Sequence, residues 1–462
     1  MYGGLKKSAS RLALVAAAGV LSTGAYAADL GGDCCADLEE RVAELEATTA
    51  RKGNRKVSLT ISGQVNRTIM YWNDGGRSNT YFGLDNTNTS SRLQFSGNAK
   101  ISPTVTAGYS FLFDQADRAR SVSVRQTGNS TAGEDGTARD NGNTNADALM
   151  RLRDANVWLE SSQLGRITMG RLTTAGPTGT LDLGGVGVVA TAGEGCIGTT
   201  LRVRQSNNVL AAAGKSLGDY GTNCAHPTFR AEGIRYTSPT FAGFTFNASI
   251  GEAAKVEVNS IDGNRTDVGQ NWGADLRYAG EFSGVRVAAS IGYESSDVNE
   301  DDSGSSLTLG DKYRSWGGAL SLLHVPTGLF VQGEYIWATK SVYDGAGISG
   351  PDKTADRWHV QAGIRQNFFG IGSTSLYGEY GKHNDFNTFN SWTASGGSSF
   401  AGQTQDDMTI WGLGMVQEVD AAAMQLYIGY RNYQFSDNAT ATIAAGGLKS
   451  IDVVAAGARI RF

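Results

Sequence analysis

The chain has 462 residues, 62 of them Gly and 6 Pro, with 40% hydrophobic residues, 18% charged residues and a formal net charge of −5. A mean hydropathy of −0.26, with no run of 18 apolar residues after the start, excludes a helical membrane protein. Seven Met, four His and four Cys leave little material for a metal or redox enzyme, so no cofactor is expected, and an acidic balance without a Lys/Arg block argues against nucleic acid as a partner. The length could hold two or three soluble domains. Instead, one texture of short alternating segments and polar Gly/Asn/Ser/Asp-rich gaps runs from residue 56 to Phe462, which points to a single large β-domain.

The N-terminus has the form of an export signal over residues 1–27. Lys6, Lys7 and Arg11 make a positive start, Leu12 to Leu21 an apolar stretch, and Ala25-Tyr26-Ala27 a small-x-small cleavage site. Cleavage removes three bases and no acids, taking the net charge from −5 to −8. In the following segment, 28–55, Leu38, Val42, Leu45 and Thr49 stand 4, 3 and 4 residues apart with Glu and Arg between them, a two-heptad seam that Cys35 extends backward. So narrow a stripe has nothing of its own to pack on, which favours a self-associating periplasmic coiled coil over a solvated linker helix.

From Val57 the period becomes two. Val57, Leu59, Ile61, Val65, Ile69 and Tyr71 oppose Ser58, Thr60, Ser62, Gln64, Asn66 and Thr68, and later segments repeat the pattern, as where Trp358, Val360, Ala362 and Ile364 oppose His359, Gln361, Arg365 and Asn367. Short turns at 103–104, 162–165, 239–240, 283–284, 326–328, 370–372 and 420–422 alternate with long polar loops near 73–91, 115–149, 172–229, 254–267, 298–311, 341–353, 386–404 and 436–447. Seven turns and eight loops join sixteen strands. With no helix to cover their oily faces, lipid must do so, and closure removes the sheet edges that hydrocarbon cannot satisfy. The fold class is therefore all-β, a 16-stranded antiparallel transmembrane barrel over 56–462. Tyr71, Trp72, Phe241, Phe282, Trp316, Trp337, Trp358, Phe368 and Tyr433 fall near strand ends as outward girdle aromatics.

The whole mature chain resembles the bacterial general porins, and more narrowly the alphaproteobacterial porins of the rhizobial type. The resemblance rests on the signal peptide, the stretch Asp33-Cys34-Cys35-Ala36-Asp37-Leu38-Glu39-Glu40-Arg41-Val42, the opening strand Lys56-Val57-Ser58-Leu59, sixteen strands, and a last strand Val454, Ala456, Ala458, Ile460, Phe462. It implies a homotrimer of water-filled pores in the outer membrane of a Gram-negative cell, amid lipid and lipopolysaccharide, passing small hydrophilic solutes and ions. It also implies that the terminal Phe462 is read by the barrel-assembly machinery, and that the loop after the fifth strand, 172–229, folds inward as a constriction. Family members set acidic loop residues against basic wall residues there. The corresponding candidates are Asp182 and Glu194 on the loop, with Arg92, Lys100, Arg166, Arg235, Arg277, Arg286, Arg365 and Arg431 on the wall; an inward Arg pairing with a wall acid is the plainer role for each.

Cys196 and Cys224 sit in that same exported loop with 27 residues between them, which favours a disulfide over metal binding with His226. Cys34 and Cys35, on the helical seam, suit bonds between chains. Net charge tilts the field towards cations and the Arg wall towards anions; the balance leans to cations. An enzyme would need a nucleophile and base, and His226, His324, His359 and His383 come with no such motif. A substrate-specific channel using Tyr377, Tyr427 and Trp158 as a stacking slide, or an envelope-tethering adhesin, are the alternatives to passive diffusion.

Overall fold

The computed structural model describes residues 56–115, 120–126, 150–179, 181–189, 197–212, 214–222, 230–252, 269–297, 312–341, 352–390 and 400–462. Residues 1–55, with the signal peptide and the seam of Cys35, Leu38, Val42 and Leu45, lie outside them, as do Glu194, Cys196 and Cys224.

Among the described residues seventeen strands form one antiparallel sheet. They are β1 (Thr60–Asn73), β2 (Ser78–Asp85), β3 (Arg92–Lys100), β4 (Val105–Gln115), β5 (Met150–Ser161), β6 (Gly165–Thr173), β7 (Arg230–Thr237), β8 (Phe244–Glu252), β9 (Gln270–Phe282), β10 (Val285–Asp297), β11 (Lys312–His324), β12 (Leu329–Ser341), β13 (Lys353–Gln366), β14 (Thr374–Asn384), β15 (Asp406–Val419), β16 (Met424–Asp437) and β17 (Ile451–Arg461). β1 closes the sheet on β17, from Gln64 opposite Arg461 to Asn73 opposite Asp452. Its other edge is shared: the first half pairs with β3 and the second with β2. β2 and β3 are thus one barrel position interrupted at residues 86–91, and the wall has sixteen. This corrects the sequence reading of 73–91 as a long loop. Asp74 to Arg77 form a tight turn, with the Asp74 N–H bonded to the Arg77 carbonyl, and the chain re-enters the wall as β2.

The wall alternates as its sequence dictates. On β13, Arg357, His359 and Gln361 are wholly buried while Val360 between them is exposed outward. Short turns carry the special backbone they need: Ser283 (φ 48°) and Gly284 (φ 80°) close the two-residue hairpin between β9 and β10. Outward aromatics pair across strands towards the long-loop rim, Trp272 with Tyr293, Trp316 with Tyr335, Trp358 with Tyr380 and Trp411 with Tyr430, their centroids 5.3–5.6 Å apart. Phe244, Tyr278 and Phe282 form a matching cluster at the short-turn rim. Two expected girdle residues belong elsewhere. Trp72 and Tyr433, 3% and 1% exposed, point inward, because they share the parity of Met70 on β1 and Arg431 on β16. At the seam Phe462 and Gly63 exchange backbone hydrogen bonds, and the Phe462 ring lies where a Cβ on Gly63 would stand.

Candidate functional site

After β6 the chain turns into the barrel and runs along its inner wall. The Ala175 N–H donates to Ser249 Oγ on β8 (2.8 Å), the Gly176 N–H to Asp275 on β9 (3.3 Å), and Thr178 bonds Ser290 on β10. Farther on, the Gly184 N–H donates to Gln332 on β12, Arg365 on β13 donates to the Leu183 carbonyl, and Ser375 on β14 to the Gly184 carbonyl. The strap ends at the break between β2 and β3, where Asn86 and Asn88 donate to the carbonyls of Val188 and Gly187. So close an approach needs bare wall positions. A Cβ on Gly273 or Gly292 would stand 2.1 or 2.4 Å from strap backbone.

The strap continues as a hairpin, 199–218. The Val203 N–H bonds the Lys215 carbonyl, the Leu217 N–H the Leu201 carbonyl, and the Gly218 N–H the Thr199 carbonyl. Leu201, Val203, Leu217 and Tyr220 pack on inward Met70, Trp72, Met408, Ile410, Tyr433 and Val453, an apolar core inside the barrel towards its long-loop end. Hydrophobic burial therefore holds the hairpin in place inside the barrel. Ion pairs lock it: Arg204 donates twice to Asp74 (2.9 and 2.8 Å), and Lys215 Nζ lies 2.6 Å from Asp437, which also accepts from the Tyr220 hydroxyl (2.8 Å). Burial would raise the Asp74 carboxyl, but the Arg204 guanidinium and the backbone N–H groups of Arg77 and Gly76 outweigh it and hold it below the usual carboxylate range.

Together these segments touch the inner wall from β8 round to β1. Behind the strap, Glu379 takes two bonds from Arg431 (2.6 and 2.9 Å) and sits 3.5 Å from His359. Arg365 therefore supports the strap, and Arg431 is buried against Glu379. Tyr377 and Tyr427 are buried, 6% and 4% exposed, so a stacking slide that includes them is not available to solute.

Among the described residues, the side left uncovered runs along β3 to β7, with Arg277 on β9 at its margin. Asp114, wholly buried, is shared by Arg92 (3.1 Å), Arg151 (3.7 Å) and Arg153. Beside it Arg230 pairs with Asp154 (3.0 Å) and Arg277 with Asp275 (2.7 Å), while Arg235 donates to Asn247 (2.8 Å) and the Thr173 carbonyl (3.2 Å); Arg171 and Glu232 (3.8 Å) pair on the outward face that they share with Met169 and Ile234. Six arginines face three acids, an excess of 6 − 3 = 3 positive charges. Below lies a polar cavity of about 900 Å3 reaching the short turns at Ser162 and Pro239.

Of the sequence candidates, Arg92, Arg235 and Arg277 belong to this basic wall. Arg166 stands in the cavity beneath it, Lys100 ends β3 at a short turn, and Arg286 pairs with Glu281 (3.0 Å) at another. Asp182 does lie on the strap, but its carboxylate accepts from the N–H groups of Val186 (3.1 Å) and Gly187 (2.7 Å) and from Gln332 (3.1 Å), bracing the strap's own turn. Sequence reasoning missed Arg151, Arg153 and Arg230. A register shift between Leu112 and Phe113 leaves Arg153 as an extra residue on β5, which turns Arg151 and Arg153 to the face of Asp154. The charged run Arg151-Leu152-Arg153-Asp154, breaking strict alternation, is the signal that marks it.

Solved structures similar in fold include an anion-selective porin from Comamonas acidovorans, at 14% identity and a TM-score of 0.51 over 88% of this chain and 100% of that one. OmpT of Vibrio cholerae matches at 11% identity and a TM-score of 0.47, covering 89% and 99%, and OmpF of Salmonella typhi at 14% and 0.48, covering 88% and 98%. No curated protein matches the chain. The family model described as Gram-negative porin matches residues 13–439, so the chain belongs to the Gram-negative porin family and is an outer-membrane channel for passive diffusion rather than an enzyme.

Proposed function

We propose that small hydrophilic solutes cross this porin through an off-centre passage along β3 to β7 and that the passage prefers anions. The observation that carries this reading is the excess of arginine on the open wall while the loop's two described acids, Asp182 and Asp219, each accept hydrogen bonds within their own turns. Fixed charge at a constriction governs selectivity more directly than net charge spread over the exterior, which reverses the sequence-based lean to cations. The test is the reversal potential of the reconstituted channel in a tenfold KCl gradient. A potential of the sign set by chloride supports it, and the sign set by potassium refutes it.

The same reading includes a homotrimer with lipid and lipopolysaccharide around it and insertion by the barrel-assembly machinery acting on Phe462. It includes processing after Ala27, a coiled coil over 28–55, and membership of the alphaproteobacterial type. The Cys34-Cys35 seam and family resemblance support these, and the barrel forms a compact unit from Lys56 onward. A Cys196–Cys224 disulfide would tie the ends of the segment that contains the hairpin, whose first and last paired residues are Thr199 and Gly218. Thiol titration of unfolded, non-reduced protein tests it: free thiols at both positions would exclude the bond.

A further inference from the structure

Trp158 is the one residue of the expected stacking slide that remains in open space. It faces inward on β5, in the cavity of about 900 Å3 below the basic wall, among Gln94, Ser110, Asn156 and Thr168. Its cross-strand neighbour on β4 is Gly108, and the indole fills the space a side chain there would need, with a ring atom 2.2 Å from the position of a Cβ. The ring therefore rests on the backbone of β4. From β6, Arg166 extends over it, with the guanidinium carbon 4.2 Å from the ring centroid, a cation–π contact.

Glu160 fixes the guanidinium by one edge, accepting from Nε at 3.0 Å and from Nη2. That leaves the Nη1 edge and the planar surface, on a side chain still 41% exposed. Trp and Arg planes both stack on flat π systems, and a guanidinium edge pairs with carboxylate. Aliphatic acids offer only the carboxylate and neutral rings only the plane, whereas an aromatic carboxylate offers both. Anions reach this point because they have just crossed the arginine wall.

We propose that Trp158 and Arg166 form a stacking plate that retains planar aromatic carboxylates as they cross the short-turn half of the channel. The proposal rests on the diffusion-channel reading, and its test separates the two. Single channels are recorded in KCl alone, then with benzoate, cyclohexanecarboxylate or benzamide added. KCl conductance by itself decides the channel reading. Benzoate is expected to cause resolved current interruptions at least about tenfold longer than those from cyclohexanecarboxylate or benzamide, and W158L and R166Q each to shorten them by about tenfold. Equal interruption by cyclohexanecarboxylate, or unchanged benzoate dwell times in W158L, overturns the plate. Equilibrium dialysis of labelled benzoate against the solubilised, heat-modifiable protein gives a readout independent of conduction: saturable binding lost in W158L supports the plate, and the absence of saturable binding or its persistence in W158L refutes it.

Discussion

The hairpin at 199–218 is held in the barrel by a buried ion pair whose loss has a calculable consequence. Asp74 is wholly buried and Arg204 is 7% exposed, and they meet through two hydrogen bonds of 2.9 and 2.8 Å. Asp74→Asn keeps the size of the side chain and an oxygen for the N–H groups of Gly76 and Arg77, but leaves the guanidinium facing a neutral amide. Breaking a buried pair costs about 3–5 kcal/mol. At 1.4 kcal/mol for each factor of ten, the undocked hairpin becomes roughly a hundred to a few thousand times more populated. Hydrogen exchange reads this at the Val203, Leu217 and Gly218 amides, which are bonded within the hairpin. They should exchange faster by that factor while mid-strand amides of β10 and β11 do not. Acidification should act the same way in the unsubstituted protein. Because the folded-state carboxyl is held below its usual range, its contribution is fully present above about pH 4 and is lost as pH falls through the lowered value. Exchange within threefold of wild type in Asp74→Asn would refute the docking argument.

Replacing Arg153 and Arg230 by Gln reduces the arginine excess on the wall from 6 − 3 = 3 to 4 − 3 = 1, so the anion preference measured by reversal potential should fall towards parity. Gly292→Val puts a side chain where strap backbone lies 2.4 Å from the Cβ position; the strap must lift, giving a larger or noisier single-channel current from a barrel that still shows heat-modifiable mobility. Glu379→Gln strands Arg431 beneath the strap at a cost of about 3–5 kcal/mol, which should lower the denaturation temperature of the folded form and leave ion selectivity unchanged.

Strand count, closure and most of the lipid-facing parity were legible, because a side chain in a membrane wall has only two directions and the sequence alternates between them over sixteen positions; Trp72 and Tyr433, expected in the girdle from their place near strand ends, carry the inward parity of Met70 and Arg431. β2 was not legible. Ser78-Asn79-Thr80-Tyr81-Phe82-Gly83-Leu84-Asp85 lacks a continuous apolar face, since it lines a rim, although Asn73-Asp74-Gly75-Gly76 before it is a strong turn signal. Parity also gave the lumen side of Arg92, Arg235 and Arg277 but could not separate them from Arg365 and Arg431. That distinction depends on where a loop of some fifty residues lies, and such a loop carries no period. The apolar core inside the barrel was hidden for the same reason. Leu201, Val203 and Leu217 alternate across a hairpin, but nothing local says that they face Met70 and Trp72 of β1.

Solute should pass along β3 to β7 and be excluded from the side that the strap covers. Asn156→Cys, in the open cavity on β5, and Ser375→Cys, 2% exposed beneath the strap on β14, discriminate most directly. Each is recorded as a single channel before and after a charged, membrane-impermeant thiol reagent, with the unsubstituted protein as control. The account predicts a stepwise fall in current at Asn156→Cys and none at Ser375→Cys. Modification and block at Ser375→Cys, with Asn156→Cys unaffected, would contradict it.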